Sequence, residues 1–205
     1  MRESGAMMSG AKKSVRTREL ARLAALALAL LLAACGGSLY KVKPKIDAPV
    51  AGGSEASAAG FKVRAVPLFA DEESQELFEA NLPLAGLLPV RLEMSNEGAS
   101  PVSFERVRFR LRDAEGGEWK FRTPKQAVSR ILESDQVYLY NPNSRRAFQE
   151  AVNQHGFDLA TPLEPAARRR GLIFFQTPKK EQLNNPRGLV LTIEGLPQPV
   201  EVIFN

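Results

Sequence analysis

The chain has 205 residues, 44% of them hydrophobic, which is enough for one domain with a core plus a targeting segment and a tether. Of its 28 basic and 23 acidic residues, six basic and two acidic ones fall in the first 34. From Cys35 onward 22 therefore face 21, and that near-balance removes the electrostatic argument for nucleic-acid binding. One cysteine excludes an intramolecular disulfide, and one histidine, His155, leaves little material for a metal site or a nucleophilic triad.

The chain opens with a basic stretch through Lys12, Lys13, Arg16, Arg18 and Arg22. Leu23 to Ala34 follows, twelve residues without a polar side chain. Charge on the cytoplasmic side and an apolar segment behind it are the features of a secretory signal peptide. As a helix this stretch spans about 18 Å, too short for a hydrocarbon core of about 30 Å. It ends in Leu32-Ala33-Ala34-Cys35. A leucine and two small residues before a cysteine resemble the lipobox of bacterial lipoproteins. The resemblance implies cleavage between Ala34 and Cys35, with diacylglycerol on the thiol and an acyl chain on the new amino group. It also implies a membrane-anchored protein of the cell envelope. Gly36, rather than aspartate, follows the cysteine, which favours the outer membrane facing the periplasm where the organism has one. The alternative is an uncleaved anchor helix with a buried cysteine.

Residues 36–60 are poor in large apolar side chains and rich in Gly, Ser, Ala and Pro. Such composition cannot bury enough surface to offset chain entropy, so residues 35–60 are expected to be a lipidated cysteine and flexible tether. Tyr40-Lys41-Val42 is a possible short ordered piece within it.

Period-two patterns begin at Phe61 and mark half-buried strands. Phe61, Val63 and Ala65 alternate with Lys62 and Arg64. Val90, Leu92 and Met94 alternate with Arg91 and Glu93, ahead of a turn at Asn96-Glu97-Gly98. Val107, Phe109 and Leu111 alternate with Arg106, Arg108, Arg110 and Arg112. Asp113 to Gly117 turns the chain into Trp119 and Phe121. Gly171 to Phe175, Leu189 to Ile193 and Val200 to Phe204 complete the set.

Between them the periodicity changes. Thr123-Pro124-Lys125-Gln126 reads as a capping box with proline at the first helical position. Ala127, Val128, Ile131 and Leu132 form the apolar stripe behind it. A second helix is expected from about Ser144, with Ala147, Phe148, Ala151 and Val152 on one side and Gly156 closing it. Asp71 to Glu79 is ambiguous and can hold a short helix.

Turns at Asn96-Glu97-Gly98 and Asp113 to Gly117, then Leu163-Glu164-Pro165 ahead of Gly171 to Phe175, then a closing hairpin, resemble the immunoglobulin-like, telokin-like domains of bacterial lipoproteins. The resemblance implies a mainly β, immunoglobulin-like antiparallel sandwich over residues 61–205, with a helical insertion at about 123–156. It implies binding or assembly rather than catalysis, and a fold alone assigns no function.

Candidate chemistry is sparse. His155 sits near a helix end, where a protonated imidazole favours the dipole. Asp71-Glu72-Glu73, and Glu115 with Glu118, read as solvated surface. No Walker-type loop, dinucleotide fingerprint or zinc spacing occurs. Gly116-Gly117 reads as a hairpin turn. Arg106, Arg108, Arg110 and Arg112 fall on one strand face by parity, and arginine forks suit phosphate and carboxylate. They form a possible surface for an anionic partner; the plainer reading is a solvated face paired with acids such as Glu93 or Glu105. Arg168-Arg169-Arg170 reads as an exposed loop that aids solubility or protects an edge. Tyr138 and Tyr140 are either core residues or an exposed aromatic strip.

The leading functional expectation is a non-enzymatic binding or assembly subunit, lipid-anchored, with an envelope protein or glycan partner and no cofactor beyond its lipid. A small lipoprotein of a secretion apparatus is one specific version by fold analogy. The alternatives are an envelope hydrolase or glycan-modifying enzyme, which needs a deep pocket with convergent carboxylates, and a purely structural envelope protein.

Overall fold

A computed structural model describes residues 40–45, 51–137 and 142–204. The signal segment, Ala34, Cys35, Tyr138 and Tyr140 lie outside the described residues.

The alternating segments form strands. In chain order these are β1 (Ser54–Ala58), β2 (Phe61–Pro67), β3 (Leu87–Asn96), β4 (Arg108–Arg112), β5 (Glu118–Arg122), β6 (Arg168–Gln176), β7 (Val190–Glu194) and β8 (Val200–Ile203). They make one antiparallel sheet in the order β1-β2-β3-β6-β5-β4-β7-β8. Its two ends, β1 and β8, pack against each other, so the sheet curls nearly into a barrel. Strand β5 turns the corner. Glu118 and Trp119 pair with β4, and Lys120 to Arg122 pair with β6.

The interior is filled from the inward positions. Val63 and Ala65, Leu88 to Met94 at alternate positions, Ile173 and Phe175, and Leu191, Ile193, Val200 and Val202 join one cluster. β6 carries an uninterrupted apolar run because both its faces are covered: Ile173 and Phe175 point into the barrel, Leu172 and Phe174 into a second cluster beneath the helices. That is the pattern of a central strand.

Three helices cover the outside among the described residues: α1 (Asp71–Phe78), α2 (Pro124–Ser134) and α3 (Pro142–His155). The ambiguous acidic segment is therefore α1. Thr123 caps α2 as expected: its hydroxyl accepts from the Gln126 amide and the Gln126 side chain accepts from the Thr123 amide. Ala127, Val128, Ile131 and Leu132 are buried, as their spacing required. In α3 Phe148, Val152 and His155 are buried, whereas Ala147 is exposed.

Two expectations are corrected. The tether is not flexible throughout residues 36–60, because Ser54–Ala58 pairs with β2 as edge strand β1; Tyr40, in the short piece named as a possible ordered one, is buried. The short alanines of β1 rest on the barrel core, while Glu55 bridges Lys62 and Arg64 on the outer side. Backbone pairing and these ion pairs thus order a segment of weak apolar character. The Arg168-Arg169-Arg170 run is not an exposed loop either; it opens β6 opposite Ser95, Met94 and Glu93. Arg169 donates to the carbonyls of Asp158, Thr161 and Pro162 at 2.9, 2.5 and 2.7 Å and lies over the Phe104 ring. Arg170 pairs with Glu93 at 2.5 Å. Charge tolerated in a strand interior here means charge with partners.

Candidate functional site

The arginine row is only partly a row. Arg108, Arg110 and Arg112 share the exposed face of β4, with Phe109 and Leu111 turned inward. Arg106 stands in the turn before the strand and leaves the face that parity alone gave it. The acid that neighbours this face is Glu194 of β7, register partner of Arg108, with its carboxylate 3.3 Å from the Arg110 guanidinium. Glu93, the acid expected there, belongs to Arg170. Glu105 contributes only its carbonyl, which with that of Val107 accepts from Arg108. The Arg110–Glu194 ion pair is exposed and contributes at most about 1 kcal/mol.

A second assembly forms where residues 40–45 cross the helical layer. Tyr40 stacks on Phe148 with ring centroids 4.4 Å apart, and its hydroxyl donates to Asp135 at 2.7 Å. Burial, then the Asp135 carboxylate, push the phenol well above its ordinary range. The Lys43 amide donates to the Leu77 carbonyl at 2.9 Å. The Lys43 carbonyl accepts from His155 Nε2 at 2.6 Å, a contact that assigns the proton to Nε2 because a carbonyl can only accept. His155 is buried, edge-on to Phe78. Its expected role as a protonated helix-terminal cation is thereby corrected. Burial holds the imidazole below its ordinary value and nearby Lys45 acts in the same sense, against the Lys43 carbonyl.

A pH dependence follows from this. The unfolded imidazole takes a proton near pH 6.5, the folded one only at lower pH. Stability supplied by neutral His155 is thus complete above that value and is lost as pH falls through the folded pKa. Urea midpoints measured across this range are expected to fall on acidification in the parent and to fall less in His155→Gln, which keeps an amide donor and cannot titrate. Equal slopes would remove His155 from the account.

The third arrangement is a cationic groove of about 460 Å³ between α2 and the far end of β6. Arg122, Thr123, Lys125, Gln126, Arg130 and Lys180 line it, with Gln176 among them and Glu133 as the one acid among the described residues. Arg130 organises one wall. Its Nε donates to the Ala85 carbonyl and an Nη to the Lys180 carbonyl, both at 2.9 Å, and it pairs with Glu133 at 3.2 Å. The Lys180 backbone is held at φ +59, a conformation costly for a side-chain-bearing residue unless its surroundings enforce it. Arg122 donates twice to Gln176 Oε1, at 2.9 and 2.5 Å. This set joins residues from β5, α2, β6 and the 177–183 loop, and no sequence motif announces it.

A further hollow of about 420 Å³ is lined by Asp113, Glu115, Trp119 and the 177–187 segment. Its Asp113 is committed to the hairpin. The carboxylate accepts from the Trp119 indole at 3.0 Å and from the Gly117 and Glu115 amides at 2.7 and 3.1 Å, and these donors hold its pKa low. Glu115 and Glu118 are exposed, as are Asp71 and Glu72 in the first turn of α1. Among the described residues no group of three or more His, Cys, Asp or Glu side chains is placed to hold a metal ion. No helix among them is long and apolar enough to cross a membrane.

Comparison with known proteins adds little. No family model matches the chain, and no curated protein matches its sequence. A crystal structure of a conserved hypothetical protein from Bacillus anthracis is similar over 81% of this chain and 96% of that one, at 11% identity and a TM-score of 0.39.

Proposed function

We propose that the chain is a lipid-anchored subunit of the bacterial cell envelope with a binding or assembly role rather than a catalytic one. In this reading it is cleaved before Cys35 and held, at the outer membrane where one exists, by acyl chains on that cysteine. The observation that carries it is Leu32-Ala33-Ala34-Cys35 at the end of an apolar stretch of twelve residues behind a basic one. Two or more chains give stable anchoring at about 0.8 kcal/mol per buried methylene.

The docking of Tyr40 to Lys43 sharpens the proposal. Cys35 precedes Tyr40 by five residues, a reach of at most about 17 Å. A lipid on Cys35 then keeps the domain close to the bilayer, with the surface around Tyr40 and α3 turned toward it, instead of at the end of a long leash. The domain itself we read as an immunoglobulin-like sandwich closed at its corner. β1-β2-β3-β6 and β4-β7-β8 serve as its two layers, and the change of partners along β5 supports that division. The partner in this reading is an envelope protein or glycan.

Mass spectrometry of the mature amino-terminal peptide tests the anchor. An acylated Cys35 as first residue is expected, and Cys35→Ala is expected to accumulate unprocessed. An unmodified Cys35 within a longer chain would sink the anchoring reading. Trypsin tests the docking: Lys41–Val42 should resist cleavage in the parent and become labile in Tyr40→Ala, whereas a free tether would be cut rapidly in both.

A further inference from the structure

Among the described residues, three cations of the groove between α2 and β6 have no acid paired with them. Glu133 is engaged with Arg130, and Arg122 spends its hydrogen bonds on the neutral Gln176. Among the described residues the ammonium groups of Lys125 and Lys180 make no hydrogen bond or ion pair. Like charges gathered in a concavity raise the local potential and favour an anion. Gathered lysines alone are an ordinary surface, however, and the distinguishing feature lies beneath them.

Gln176 is 2% exposed, and its Nε2 is a buried donor with no acceptor. Turning the amide over does not relieve it, because Arg122 donates through Nε and Nη2 to Oε1, and a flip would set N–H against N–H. Arg122 therefore fixes the amide with its donor left over. Buried polar groups in native proteins are nearly always partnered, so an orphan calls for an explanation. In a groove that already collects positive charge, an oxygen of a bound anion is an acceptor that would answer it.

We propose that this groove binds a phosphate group, with Lys125, Lys180 and Arg122 supplying charge and Gln176 Nε2 a hydrogen bond. Phosphate fits better than carboxylate on the count of acceptors. Several separate donors converge here, and a phosphate offers three or four oxygens to distribute among them where a carboxylate has two. The volume of about 460 Å³ admits a phosphate together with a small attached group. The Lys180 backbone, held at φ +59 and accepting from Arg130, ties the 177–183 loop to the α2 wall of the groove. The site stands apart from the lipid anchor, and neither proposal requires the other.

The experiment uses the full-length chain purified in a non-ionic detergent and two probes, inorganic phosphate and the soluble short-chain lipid dihexanoyl phosphatidic acid. Readouts are the Gln176 side-chain amide resonances and the melting temperature. Either probe at millimolar concentration is expected to shift those resonances and raise the Tm. Action by inorganic phosphate alone marks a free phosphate as ligand; action by the lipid alone marks a headgroup. Gln176→Glu keeps the acceptor that Arg122 needs and replaces the donor with an anion, so it should fold and bind at least tenfold more weakly. Lys125→Glu with Lys180→Glu should do the same. Three results overturn the proposal: neither probe acting, Gln176→Glu binding as the parent does, or binding lost instead in Arg108→Glu with Arg110→Glu on the far strand β4.

Discussion

Replacing Glu93 with alanine is expected to destabilise the domain by about 3–5 kcal/mol, because it removes the carboxylate that faces a largely buried guanidinium. Glu93 faces Arg170 directly across the β3–β6 ladder, its carboxylate 2.5 Å from Nε, with side-chain exposures of only 11% and 18%. At that depth solvent screens the pair weakly, and salt should change the result little. The pair lies on the outer side of two central strands whose inner side carries Leu92 and Met94. The Arg170 carbonyl also accepts from Lys45, so loosening this stretch reaches the docked amino-terminal segment. Replacing both partners with leucine is expected to recover most of the loss, since a well-packed apolar pair often matches a buried ion pair. Urea denaturation of the parent, the two single variants and the double variant measures the coupling. A Glu93→Ala loss below about 1 kcal/mol would place the pair with exposed ion pairs and overturn this account.

Glu93 and Arg170 also show where sequence reading succeeds and where it stops. Local alternation located seven of the eight strands, and the capping chemistry of Thr123 to Gln126 located α2, because those signals depend on neighbours a few residues away. β1 escaped because Ser54 to Ala58 has small side chains. Its order comes from pairing with β2 and from Glu55 reaching Lys62 and Arg64, none of which is visible within the segment. The start of β6 escaped for the opposite reason. Three consecutive arginines look solvated until Glu93 and the 158–162 carbonyls are brought to them by the fold.

The same limit applies to the candidate sites. The arginine row on β4 was visible because parity is local, and three of its four members share an exposed face with Glu194 beside it. The groove was invisible because Arg122 and Gln176 lie 54 residues apart and Arg130 and Lys180 lie 50 apart. Its orphaned donor is a property of geometry alone. His155 was visible as a lone histidine near a helix end, but the packing that buries it and the Lys43 carbonyl it donates to, from 112 residues earlier in the chain, were not.

Gly171→Ala is expected to destabilise by about 3 kcal/mol, the upper end of what a small overpacking substitution does. Gly171 lies within β6 opposite Leu92, and the chain leaving α3 passes directly over it. The Phe157 amide donates to the Leu172 carbonyl at 2.9 Å, and Gly156 bridges Leu172. A Cβ at position 171 would stand 2.5 Å from both the Cα and the nitrogen of Phe157 and 2.7 Å from the Gly156 carbonyl oxygen. These are backbone atoms, so no side-chain rotation relieves the clash, and the 156–157 segment must lift from the sheet. Lifting it withdraws Phe157 from its edge-on contacts with Phe104 and Phe109 and disturbs the end of α3, where His155 holds the amino-terminal segment. This glycine within the strand therefore serves close approach of two backbones, not a turn. The expected signature is a lowered urea midpoint with faster hydrogen exchange at the Phe157 amide and easier tryptic cleavage at Lys41, because these share one packed layer. An unchanged midpoint would mean that the chain over β6 yields freely, and the link from α3 to the docked segment would lose its support.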